Sequence, residues 1–463
     1  MKNLLTYTVL GFSMLLITSC KKDFLEAKPT SSILTPNSLN ELQGLLENAD
    51  IFTKSTPALS LMAADDYVFT SYQNWQSTGT ATERNSYIWA KDLYEGKPKV
   101  RDWSSGYAGI FYCNNVLEVL PKIPQTPSNT LQHNTVHGWA LFMRAYLLYD
   151  LVRNFSPAYD TNTAMADLGI PLPLKPGVDV LVKRASVKET YDQIFNDLTQ
   201  SARLLDVSRP VNNNRPYKAA AYALFARIYL SMRFYKEAEQ YADSTLAITN
   251  KLIDYNTVSK TATSPFPLNS DESIFSTGAI FDDYDIIFSS SSNTDVTVNP
   301  ELVRLYDSND LRLTTFFRLN ATTGNLYFRR GYYLQSVPYT GLATDEMYLI
   351  KSECLARRNS VSESLNWLNA LLIKRFPPGI FRPVEGLSQD AALQTVLLER
   401  RKELVWRALR WTDLKRLNKE GANITLSRTL NGQQYTLPPN DPRYIFPIPD
   451  DEIALSGIEQ NIR

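Results

Sequence analysis

Tyr72, Gln73, Asn74 and Trp75 place two aromatic rings and two amides within four consecutive residues. A sugar ring has an apolar face that stacks on an indole or phenol ring, and its hydroxyls need Asp, Asn, Gln or Arg beside that platform. These four residues supply both halves of that chemistry. Asp66 belongs to the same aromatic-rich stretch, and Asp283 with Tyr284 and Tyr332 with Tyr333 repeat the pattern later as an opposite wall. A single aromatic is more often core than ligand contact, so the candidates form a set: Asp66, Tyr72, Asn74, Trp75, Asp283, Tyr284, Tyr332 and Tyr333.

Catalysis is the sharper alternative. Asp65-Asp66, Asp282-Asp283 and Asp285 offer carboxylates for glycoside hydrolysis, but that reaction needs two carboxyls roughly 5 to 9 Å apart across the scissile bond. Capping of loops explains them more simply. The two histidines, His133 and His137, sit at zinc-binding spacing, yet Asn134 stands where the metalloprotease pattern needs Glu. No glycine-rich phosphate loop, serine elbow or dinucleotide fingerprint occurs. The sequence therefore predicts no catalytic residue, no metal and no cofactor. Glu399, Arg400, Glu403, Arg407, Arg410 and Asp413 read as internal ion pairs rather than a site for an acidic ligand, with Glu403–Arg407 and Arg410–Asp413 as the expected partners.

The elements that must position these residues are helical. In Tyr217 to Leu252, Tyr222, Phe225, Tyr229 and Met232 recur at 3, 4 and 3, leaving Arg227 and Arg233 on the surface. After a break at Arg233-Phe234, Tyr235, Ala238, Tyr241, Ala242, Thr245 and Leu246 form a second stripe. That is a tetratricopeptide-like hairpin, and such a unit needs partners to bury its face. Further helices are predicted over Ser38 to Asn48, from Trp103 to Pro121, from His137 to Phe155, from Ser186 (with Glu189 closing a capping box), from Asp345 as a weaker copy of the hairpin, and over Ala391 to Leu417. Two stretches, from Asn48 to Val100 and from Leu252 to Asp345, lack period. They hold the candidate residues, and long loops on a rigid scaffold are where binding sits. Pro438 to Arg463 reads as an extended tail.

The 463 residues allow roughly 75% of the unfolded surface to be buried in two intimately packed parts. Forty-eight basic residues balance 48 acidic ones, so nothing recruits nucleic acid or an anionic membrane by charge. Aromatics reach 11%, more than a helical core needs. Cys113 and Cys354 are expected as small buried thiols. At the N-terminus, Lys2 precedes the apolar run Leu4 to Ile17, which is too short to span a bilayer and ends in Ile17-Thr18-Ser19-Cys20. This is the logic of a lipoprotein signal with lipidation at Cys20. Two or more acyl chains would anchor with on the order of 20 kcal/mol.

The order of motifs resembles the SusD/RagB family of outer-membrane lipoproteins over essentially the whole mature chain. It rests on Cys20 before Asp23-Phe24-Leu25, on Asn114-Asn115-Val116-Leu117, on Arg144-Ala145-Tyr146, and on Arg184-Ala185-Ser186-Val187. Its C-terminal part is Glu399 to Leu404, Arg410-Trp411-Thr412-Asp413-Leu414, Phe446-Pro447-Ile448-Pro449 and Gln460-Asn461. Two departures stand out: Arg407-Ala408 where the family usually has an acidic residue and a glycine, and Ser456-Gly457 where Asn-Pro is expected. The resemblance implies a mostly α, tetratricopeptide-like helical repeat scaffold with long loop insertions and a few short strands. Its parts would be a signal peptide (1–19), a lipidated tether (20–36), an N-terminal SusD-like region (37–265) and a C-terminal RagB/SusD region (266–463). It further implies a lipid-anchored protein facing the cell exterior that captures glycans, or in some members peptides, for a TonB-dependent SusC-like outer-membrane channel. A surface glycoside hydrolase is the alternative from another class.

Overall fold

Apolar positions that recur at three and four residues commit most of the chain to helix, and the caps decide where each helix starts. In the computed structural model, which describes residues 36–177, 181–267, 269–280, 284, 295–333 and 337–463, the helices of eight or more residues are α1 (Leu39–Leu46), α2 (Arg101–Val119), α3 (Thr130–Phe155), α4 (Val187–Leu204), α5 (Lys218–Met232), α6 (Tyr235–Ile248), α7 (Thr344–Arg357), α8 (Val361–Leu372), α9 (Gln389–Glu403) and α10 (Arg410–Lys419). The Ser38 side chain caps α1 by accepting from Glu41 N at 3.3 Å. Ser186 and Glu189 form the expected capping box on α4. Residues 38–463 make one compact unit. Cys20 and Asp283 lie outside the described residues.

Consecutive helices stack. α2 packs on α3, α3 on α4, α4 on α5, α5 on α6, α6 on α7, and α7 on both α8 and α9. This is the tetratricopeptide-like scaffold that the hairpin spacing predicts. α5 ends at Arg233, whose φ of 68° is left-handed, and this turns the chain directly into α6. Phe195 of α4, Phe225 and Tyr229 of α5 and Tyr241 of α6 stack nearly parallel, with centroids 4.3 to 6.1 Å apart. In the second hairpin, Ser352 and Ser364 exchange hydroxyl-to-carbonyl bonds at 2.8 and 2.7 Å, so small side chains bring α7 and α8 close.

Among the described residues the strands pair only two by two. Lys54–Thr56 runs parallel to Gly278–Ala279, and Tyr67–Phe69 runs antiparallel to Val296–Val298. Each ladder takes one strand from each unpatterned stretch, so the two excursions fold onto each other as one lobe beside the helices. Much of the aromatic excess is core: Trp89, Trp411, Tyr67, Tyr146 and Tyr149 are fully buried. Cys113 and Cys354 are buried free thiols.

Several expectations are corrected. Arg227 is buried and pairs with Glu346 through two bonds, at 2.9 and 2.7 Å, because α5 is covered on all sides rather than along one stripe. α3 starts at Thr130, ahead of His137. The predicted Ala391–Leu417 helix is two helices, separated by residues 404–409, where Trp406 and Ala408 hold φ of 59° and 56°. The 438–463 tail includes a short helix, Asp450–Ser456. It returns to α3, with Phe446 N donating to Asn154 O at 3.1 Å and Asn461 Nδ2 donating to Phe155 O at 2.8 Å.

Candidate functional site

The Tyr72–Trp75 stretch forms a single helical turn, Tyr72–Gln76, capped by Ser71, whose hydroxyl accepts from Asn74 N at 3.1 Å. Three-residue spacing puts Tyr72 and Trp75 on one face of that turn. Their rings stack at 5.5 Å with 27° between planes. The Trp75 indole N–H donates to Arg84 O at 3.1 Å, which fixes the ring's orientation. Asn74 Nδ2 donates to Thr70 Oγ1 at 2.7 Å, and the Gln73 and Gln76 side chains are exposed beside the stack. The loop is held to the lobe by Thr70 N donating to Asp295 O at 2.8 Å. The result is a half-buried, oriented aromatic platform with free amides at its edge, which is the arrangement that sugar stacking requires.

The other predicted residues are distributed differently. Tyr333 is half-buried, its ring against the backbone at Gly278, where an added Cβ would lie 3.1 Å away. Asp66, Tyr284 and Tyr332 are buried, and this corrects the expectation that they face a ligand. The Asp66 carboxylate is engaged by the Arg401 guanidinium. The Tyr284 hydroxyl donates to Asp102 Oδ2 at 2.7 Å, and Asp102 Oδ1 accepts from Ala58 N and Leu59 N at 2.6 and 3.0 Å. Tyr332 packs edge-on against Phe266 at 4.6 Å and Tyr339 at 5.3 Å. These three assemble the lobe from within.

Asp65 and Asp66 are also ill suited to hydrolysis. Burial alone would raise the Asp65 carboxyl, but Arg401 and Arg410 outweigh it and hold the group well below the usual carboxylate range. A general acid needs the opposite shift. The charged residues of α9 and α10 are internal ion pairs, as expected, though with other partners. Glu403 accepts from Arg375 at 2.8 Å and Arg312 at 3.0 Å, Arg407 donates to Asp345, Arg410 to Asp65, and Asp413 accepts from Arg400 and Arg416. The break after Glu403 removes the helical relation between Glu403 and Arg407, while Arg410 and Asp413 share α10 but turn to Asp65 and to Arg400 and Arg416 instead. Arg312 and Arg375, both fully buried, went unanticipated, because no local spacing links them to α9.

A cleft of about 610 Å³ lies between α10 and the tail, lined in part by Pro157, Leu168, Lys415, Tyr444 and Asn461. Sequence reasoning missed it, since its walls come from four distant segments. Lys415 Nζ donates to the carbonyls of Arg153 and Ser156, each at 2.8 Å. Burial, with repulsion from Arg153 and Lys419, brings its pKa down to about 7. The ammonium ties α10 to the end of α3.

Two family models match the chain: a SusD-like model described as starch-binding and associating with the outer membrane, over residues 23–230, and the SusD family model over residues 342–462. The chain belongs to the SusD/RagB family. A curated relative, SusD-like protein P2 of Formosa agariphila, is 24% identical over 412 residues, covering 77% of this chain and 78% of that protein. A SusD superfamily protein from Bacteroides thetaiotaomicron superposes with a TM-score of 0.74 at 21% identity, covering 92% of this chain and all of that one. A Bacteroides vulgatus protein described as a putative sugar binding protein gives 0.73 at 22% identity, covering 92% and 99%. These likenesses establish the helical SusD fold. Among the described residues no helix is long and apolar enough to cross a membrane.

Proposed function

We propose that this SusD-family protein is a cell-surface carbohydrate-binding protein that captures oligo- or polysaccharide without chemical change. In this reading it is anchored in the outer membrane through Cys20 and passes its ligand to a TonB-dependent SusC-like channel. The observation that carries the reading is the oriented Tyr72–Trp75 stack beside exposed Gln73 and Gln76. The starch-binding description of the matching family model and the sugar-binding description of a fold neighbour support it. Tyr72, Asn74 and Trp75 form the platform, with Tyr333 assigned to the same lobe. A shallow platform buries few ligand atoms, so affinity should fall on the order of micromolar to millimolar. Weak binding suits a protein that must hand its ligand on.

The test is calorimetric titration of the protein from Lys21 onward with a panel of polysaccharides, oligosaccharides and peptides, beside Trp75→Ala. Saturable heat with one glycan class, reduced at least about tenfold in the variant, is expected for the loss of one stacking ring. Heat with peptides alone would overturn the substrate class. Unchanged binding in Trp75→Ala would move the site off this loop. For the channel, affinity purification of the membrane-anchored protein should recover a TonB-dependent barrel, and a Cys20→Ala protein should leave the membrane fraction.

A further inference from the structure

The break between α9 and α10 builds a pocket that the aromatic platform does not use. Left-handed backbone disfavours any residue with a Cβ, and here two such residues, Trp406 and Ala408, flank Arg407. The Trp406 indole and the Arg407 guanidinium line the same crevice as Arg329, which follows the Leu326–Phe328 strand. Phe316, Tyr332 and Tyr339 give it apolar walls, while half-buried Phe328, Arg330 and Gly331 leave it reachable from solvent.

Five donor nitrogens around this crevice find no acceptor among the described residues: Nε and Nη2 of Arg329, Nε and Nη2 of Arg407, and Nε1 of Trp406. The three side chains are only 5%, 7% and 3% exposed. Their other donors are in use, Arg329 Nη1 on the carbonyls of Lys260 and Thr314 at 3.0 and 2.6 Å, and Arg407 Nη1 on Asp345 at 3.1 Å. Buried donors are costly to leave unmade, so three residues that line one crevice and all keep unpartnered donors call for a ligand. Two guanidinium forks and an indole N–H present donors only, and their planar geometry matches a carboxylate or a sulfate. Glu403, the carboxylate in the lining, is already held by Arg375 and Arg312 at 2.8 and 3.0 Å. The space open to a water-sized group is about 20 Å³, enough for the leading oxygen atoms of one small group entering from the open side and not for a sugar ring.

We infer that the Arg329–Trp406–Arg407 pocket binds a single oxyanion group, either free or as the acidic substituent of a sugar. The second source rests on the glycan-capture reading and the first does not.

The test uses the protein from Lys21 onward, with Trp406→Phe, which keeps the ring and removes one donor, and Arg329→Gln as a second variant. In one arm, thermal unfolding is followed against sodium sulfate, with sodium chloride at matched ionic strength as reference. In the other, a uronic-acid oligosaccharide is titrated beside its carboxyl-reduced counterpart. Saturable stabilisation by sulfate beyond the chloride control, weakened about tenfold in Trp406→Phe, supports the pocket, and about tenfold preference for the acidic sugar, lost in the same variant, assigns the anion to the glycan. Sulfate binding with no preference for the acidic sugar keeps the pocket and assigns it a free anion, leaving the glycan-capture reading to its own titration. Sulfate indistinguishable from chloride together with equal affinity for both sugars overturns the inference, as does either effect persisting unchanged in Trp406→Phe. That variant decides the matter if Arg329→Gln does not fold.

Discussion

Glu272, Asp345 and Glu403 lie with carboxylate oxygens within 4.8 Å of one another. Arg375 bridges Glu272 and Glu403 at 2.7 Å each, and Arg407 answers Asp345 at 3.1 Å. Burial nevertheless pushes Glu272 up to about 8, opposed by Arg375 and assisted by the two neighbouring carboxylates. The folded state therefore holds a proton that the unfolded chain releases near 4.5. The stability this contributes is fully present below pH 4.5 and is lost as pH rises through 8. Lys415, lowered to about 7, works with the opposite sign above that pH, so a single curve mixes the two. The difference between wild type and Glu272→Gln separates them: the urea midpoint of wild type should fall relative to the variant between pH 5 and 8. Parallel curves would remove Glu272 from the account. That Glu403 and Arg407 each pair inside the protein was legible from the density of charge between Ala391 and Leu417, whereas Glu272 and Asp345 gave no such signal. The partners of Glu403 were not legible, since Arg312 and Arg375 approach α9 from elsewhere in the chain and carry no local spacing signal.

Helices with matched caps and periodic faces were the most legible elements. Ser186 and Glu189 cap α4 reciprocally, with Glu189 Oε2 accepting from Ser186 N at 2.8 Å and Ser186 Oγ accepting from Glu189 N at 3.1 Å. Ser186→Ala should lower unfolding free energy by about 1 kcal/mol, read from the denaturant midpoint at unchanged slope. The α5–α6 hairpin was equally plain, because its aromatic spacing and the break at Arg233 agree. The division of α9 from α10 was hidden. Neither Gly nor Pro occurs between Ala391 and Leu417, and left-handed Trp406 and Ala408 make the turn by tertiary packing against local preference. The same override hid the roles of the candidate aromatics. Tyr72 and Trp75 stayed near the surface while Tyr284 and Tyr332 went inside, a choice set by which loop covers which and not by residue type.

Across the whole molecule, the two sequence excursions become one lobe seated on the helical stack. Gly341 lies at their junction, just before α7. A Cβ there would stand 1.9 Å from the Phe275 carbonyl oxygen, and the Gly341 carbonyl accepts from the buried Arg227 at 2.5 Å. Because the obstacle is backbone, Gly341→Ala should cost about 3 kcal/mol or more and depress the melting temperature, whereas a neutral result would mean the junction yields. The tail has a different consequence, one of timing. Asn461 reaches Phe155 across 306 residues of sequence, and Phe446 pairs beside it on Asn154. A chain that emerges N-terminus first therefore exposes the end of α3 until nearly everything else has been made. Long-range closure of this kind slows folding and prolongs the life of sticky intermediates. Such a chain stays open to aggregation for longer than a protein closed by neighbouring segments.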